Sequence, residues 1–117
     1  MPGRAARVQG ERGLEVVRQV AGTRTTLVLD GDLDVRSAPL VQQAVAAAMR
    51  EGASEVVLDL HGVSFVDSSG LGALIACHKR TGRESCRLVL RSPSHRVARL
   101  LAVTTLDRVL TIESDVT

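Results

Sequence analysis

From residue 24 onward the chain switches repeatedly between two hydrophobic periods, and that alternation restricts its fold more than any other feature. "RTTLVLDG" (24–31), "EVVLDL" (55–60), "CRLVL" (86–90) and "RVLTI" (108–112) are short runs of strand type. Stretches with helical spacing lie between them. Ser37 and Pro39 open the first, because a hydroxyl can cap free amides and the first turn does not need the N–H that proline lacks. Val41, Ala44, Val45 and Ala48 then share one face, and Gly52 is placed to end the helix. The second helix is expected from about Ser69 to Thr81, with Leu71, Leu74, Ile75 and His78 on its stripe and Gly82 at its end. Ser92-Pro93 begins the third, whose stripe is Val97, Leu100 and Leu101. Ahead of all this, "LEVVRQV" (14–20) is joined to the first run by Ala21, Gly22 and Thr23, short enough for a hairpin. The expected order is ββαβαβαβ. A hairpin followed by crossover units predicts an α/β fold: a small mixed sheet of about four to five strands with about three helices. Right-handed crossovers put those helices largely on one side.

The chain has 117 residues, which fits one domain, expected over 13–117 behind a disordered leader at 1–12. Hydrophobic residues make up 44%, enough for a core, yet Phe65 is the only aromatic residue. The core is therefore aliphatic, and stacking on bases is nearly unavailable. The net charge of +2 arises within the leader, and the body from residue 13 is neutral, which argues against direct nucleic-acid binding. The body is nevertheless polarised: residues 13–67 sum to −4 and residues 79–108 to +6. Such a division can steer a charged protein partner. No run of 18 apolar residues spans a membrane and the N-terminus lacks a signal-peptide core, so a cytoplasmic protein is expected. Cys77 and Cys86 should then be thiols. Neither they nor His61, His78 and His95 have metal-ligand spacing, so no metal and no cofactor are expected.

"SFVDSSGLGALI" (64–75) stands where a strand hands over to a helix. The first amides of a helix have no partner within it, and its dipole is positive there. A hydroxyl can cap them, and a phosphate can be held by them. Gly70 and Gly72 each weaken the helix by roughly 1 kcal/mol relative to alanine. That cost fits either close approach of another molecule or tight packing on the sheet. A hydrolase is disfavoured, since no Gly-x-Ser-x-Gly and no evident base accompany the serines. A nucleotide-binding enzyme is disfavoured too, for want of a phosphate-binding loop. The chain reads as a binding module rather than an enzyme, with a serine as substrate.

"DSSGLG" following "VVLDLHGVSFV", with "LVLDGDLDVRSAP" ahead of it, resembles the bacterial anti-sigma factor antagonists, single-domain members of the STAS (sulfate transporter and anti-sigma antagonist) group. The resemblance covers roughly residues 14–112. It implies the STAS fold and a role in transcription regulation by partner switching. Members bind an anti-sigma factor, often a serine kinase of the histidine-kinase-like ATPase fold, and so release a sigma factor. The kinase phosphorylates the serine that follows the motif aspartate, and a serine phosphatase reverses this. Carried onto this chain, the phosphorylated residue is Ser68, with Ser69 as second choice. The partner-binding residues are Asp32, Asp34, Asp67, Ser69, Gly70, Leu71 and Gly72, although turn chemistry accounts for Asp32 and Asp34 equally well. Many members continue into a C-terminal helix, for which "ESDVT" (113–117) is too short. A monomer or weak homodimer is expected. The alternative is a non-phosphorylated STAS scaffold in a stress-signalling or lipid-transport complex, with the serine as a cap.

Overall fold

A computed structural model describes residues 4–9, by their backbone, and 13–114. Its strands are β1 (Arg4–Gln9), β2 (Leu14–Ala21), β3 (Arg24–Leu33), β4 (Glu55–Val66), β5 (Arg87–Arg91) and β6 (Ile112–Glu113). Helices α1 (Ala38–Arg50), α2 (Ser68–Arg83) and α3 (His95–Val103) fill the successive crossovers. The six strands lie side by side in chain order. β1–β2 and β2–β3 pair antiparallel, and each later pair is parallel. This is the expected α/β fold: a mixed sheet with an antiparallel opening and three helices.

Val16, Leu27, Leu29, Val56, Leu58, Leu60, Leu88 and Leu90 form one continuous core with Val41, Val45, Leu74, Cys77, Val97 and Leu101 of the three helices. Because side chains alternate along a strand, Glu55, Val57 and Asp59 point to the opposite face. There Glu55 is the cross-strand neighbour of both Arg24 and Arg87, and its carboxylate meets them at 2.6 and 3.7 Å.

The structure departs from the sequence reading at several elements. β1 lies within the expected disordered leader, whose residues 1–3 and 10–12 fall outside the described ones. Its pairing with β2 runs through backbone groups, which need no apolar period. β4 continues to Val66 where a link is expected after residue 60. Its register with β3 shifts twice, at Val28/Asp30 and Gly31/Asp32, and such bulges break the alternation that marks a strand.

In α2 the buried residues are Gly70, Ala73, Leu74, Cys77 and Thr81, so the stripe is rotated, and Leu71, Ile75 and His78 are half-buried at its flank. Thr81 can be buried because its hydroxyl donates to the Cys77 carbonyl at 2.9 Å. α2 also runs through Gly82; the left-handed residue beyond it is Ser85, at φ +56°. α3 is capped by Ser94 rather than Ser92, its hydroxyl accepting from the Val97 N–H at 3.3 Å. Finally, the expected strand at 108–112 is reduced to Ile112–Glu113, because Leu106–Arg108 is a 3₁₀ turn and Leu110 turns into the core.

Candidate functional site

The C-terminal ends of β3 and β4 lie together, with Asp32 opposite Phe65 and Leu33 opposite Val66. Each strand then leads into a helix, so two strand-to-helix junctions stand side by side. At the β3 end, Gly31 adopts φ +126°, and a Cβ there would lie 2.2 Å from the Gly13 carbonyl oxygen. Only glycine allows that approach. The same carbonyl accepts the Asp32 N–H at 2.9 Å. The Asp32 carboxylate accepts from Ser64 Oγ at 3.3 Å.

Asp34 holds the loop into α1. Its Oδ1 accepts the Arg36 N–H at 3.0 Å and the Ser37 N–H at 3.4 Å, and its Oδ2 meets Arg36 Nη2 at 3.3 Å. Partial desolvation pushes the Asp34 carboxyl up, but the hydrogen bonds from Arg36 and Ser37 outweigh it and hold the carboxyl below the usual range. Ser37 is wholly buried and does not cap α1 through its side chain. Its hydroxyl donates backward to the Asp32 carbonyl at 2.7 Å and accepts the Asp34 N–H at 3.0 Å. The loop leaves Val35 67% exposed.

At the β4 end the roles differ. Asp67 is the N-cap of α2, extended at φ −101°, ψ −173°, and its Oδ1 accepts the Gly70 N–H at 2.9 Å. Its own N–H donates to the Leu33 carbonyl at 3.2 Å, which ties this helix start to β3. Ser68 is the first helical residue; it is exposed, and among the described residues nothing hydrogen-bonds its hydroxyl. Ser69 and Leu71 are half-buried, and Leu71 packs against the core.

The two glycines separate. A Cβ on Gly70 would lie 2.3 Å from the Leu33 carbonyl oxygen and 2.9 Å from side-chain carbons of Leu33 and Val66. Gly70 is buried within its own chain, and its smallness serves packing against β3. Gly72 is exposed, with nothing within 4 Å of an added Cβ.

The structure thus brings Asp32, Asp34, Asp67, Ser68, Ser69 and Gly72 to one end of the sheet. Sequence reasoning passed over Phe65, which is 46% exposed three residues before Ser68, and Val35. The available signal was that the chain's one aromatic residue stands at a strand end next to the motif. Among the described residues no cluster of three or more His, Cys, Asp or Glu could hold a metal, and no helix is long and apolar enough to cross a membrane.

This fold and junction define a class of small α/β domains. The STAS domain family profile matches residues 15–117, and the chain belongs to that family, among the anti-sigma factor antagonists. It is 31% identical over 74 residues to an anti-sigma-B factor antagonist of Staphylococcus epidermidis, covering 63% of this chain and 68% of that one. A putative anti-sigma factor antagonist of Thermotoga maritima superposes with a TM-score of 0.75 at 26% identity, covering 82% of this chain and 83% of that one. An anti-sigma factor antagonist from Mycobacterium paratuberculosis gives a TM-score of 0.72 at 25% identity, covering 91% and 90%.

Proposed function

We propose that this protein is an anti-sigma factor antagonist that binds an anti-sigma factor across the start of α2, frees a sigma factor, and is switched off by phosphorylation of Ser68. One observation carries the reading: Ser68 is exposed and its hydroxyl is unbonded among the described residues, because Asp67 caps the helix in its place. The serine is left with no structural duty. Ser69, half-buried, is the poorer acceptor. The partner is a serine kinase of the histidine-kinase-like ATPase fold, and a serine phosphatase restores the free hydroxyl. The scaffold alternative needs the serine as a cap, a role that Asp67 fills.

A phosphate adds a charge of about −1.5 to −2. In the free protein, the unpaired amides and dipole of the first turn accommodate it. In the complex it stands beside the Asp67 carboxylate and must be desolvated together with its charge. A loss of about 2.7 kcal/mol weakens binding a hundredfold. No change of fold is required.

The test is phosphate transfer. The protein is incubated with ATP, magnesium and each kinase-type anti-sigma factor of its genome, and phosphate is mapped by mass spectrometry. A single phosphate on Ser68, absent from Ser68→Ala, is the expected result. Transfer to no residue from any candidate overturns the switch and favours the scaffold.

A further inference from the structure

We infer that the groove between the end of β4 and α3 is a docking site for an acidic amphipathic helix of a protein partner. Phe65, the chain's only aromatic residue, lies outside the core at 46% exposure. It forms one wall of a groove of about 420 Å³ whose other residues include Val66, Arg96, Arg99, Leu100 and Val103. α3 does not need this face to stay on the sheet, since Val97 and Leu101 already anchor it, at 1% and 0% exposure. Val103 nevertheless turns outward, 74% exposed and one helical turn from Arg99, and Leu100, half-buried against the core one turn from Arg96, lines the same groove. Two exposed apolar side chains, one of them aromatic, facing each other across a groove with an apolar floor are what partner anchors require.

Charge selects the occupant. Two arginines line the groove and no acid does, and neither arginine has an ion pair among the described residues. They belong to the basic segment 79–108, which sums to +6. A helix with leucine-type side chains on one face and carboxylates along its flanks fits both properties: the apolar face enters between Phe65 and Leu100, and the acids reach Arg96 and Arg99. A basic helix would bring like charges together.

The inference rests on the proposed function only in assigning this helix to the anti-sigma partner. Phe65 precedes Ser68 by three residues, roughly 10 Å of extended chain. A phosphate on Ser68 then repels an acidic occupant as well as crowding the α2 start.

The probe is a short synthetic helix with leucines at i, i+3, i+4 and i+7 and glutamates elsewhere, compared with its lysine counterpart. Both are titrated into the full-length protein labelled with nitrogen-15, and backbone amide shifts are followed. The glutamate peptide should move Phe65, Leu100 and Val103, and the lysine peptide should not. Exchanging both charges (Arg96→Glu with Arg99→Glu) should weaken the glutamate peptide at least about tenfold and admit the lysine peptide, with the thermal melt unchanged. Equal response to both peptides, or to neither, overturns the inference. So does a groove whose amides shift on concentration of the protein alone, which makes a second copy the occupant. Saturation by decanoate below the concentration of peptide required overturns it in favour of a small amphipathic carboxylate. Charge-selective peptide binding without phosphate transfer defeats the switch alone; phosphate transfer without peptide binding defeats the groove alone.

Discussion

The starts of α1 and α2 use the same two residue types in opposite ways. Each junction joins an aspartate and a serine at the C-terminal end of adjacent parallel strands. At α1 the serine is buried and its hydroxyl both donates and accepts, while Asp34 gathers the loop's amides. At α2 the aspartate caps alone and the serine faces water. A hydroxyl with two backbone bonds is committed to the fold. A hydroxyl with none can be modified without disturbing it.

The largest effect should come from the glycine that locks α2 to β3. Gly70→Ala forces a Cβ against the Leu33 carbonyl, and denaturant unfolding should show a loss of about 3 kcal/mol. Gly72→Ala, two residues further along the helix in open space, should instead gain up to about 1 kcal/mol. Equal effects would mean that the two glycines are not divided between packing and surface.

Removing the hydroxyls sharpens the serine comparison. Ser37→Ala leaves the Asp34 N–H and Asp32 carbonyl without their partner and should cost about 2 kcal/mol, whereas Ser68→Ala should stay within about 0.5 kcal/mol. Asp67→Ala tests the cap and should cost about 1 kcal/mol in the same unfolding assay.

A last comparison, with no effect at neutral pH, sets Ser68 against the buried thiol on the same helix. Burial pushes the Cys77 thiol up to about 12, against a slight lowering from Arg80. The native thiol therefore keeps its proton where the unfolded chain loses it. Its contribution to stability is complete below about pH 9 and falls as pH rises from 9 towards 12. Stability measured across that range should fall less steeply in Cys77→Ala, and a thiol alkylating reagent should label native Cys77 only as fast as the protein opens.

Much of the fold was legible because β2 alternates, β3, β5 and the first half of β4 are short apolar runs of strand type, and the three helices carry their own periods. What escaped was set by contacts remote in sequence. β1 is an edge strand held through its backbone, so its polar residues announce nothing. The second half of β4 is bulged, which blurs its period. The rotation of α2 follows from Gly70 seating on Leu33, and no local pattern carries that neighbour. The site was legible at Asp67 and Ser68, where one junction suffices to define the chemistry. It was not legible at Gly70, where two glycines alike in sequence meet different surroundings, nor at Phe65, whose exposure depends on how α3 packs beside the end of β4.

The order of strands across the sheet is the order in which they are made. Each helix returns the chain to the free edge left by the preceding strand, so no later segment has to be threaded between two already joined. On the ribosome the domain can therefore grow by accretion at one margin, and the Ser68 junction is laid down on a β3–β4 pair that is complete before α2 emerges.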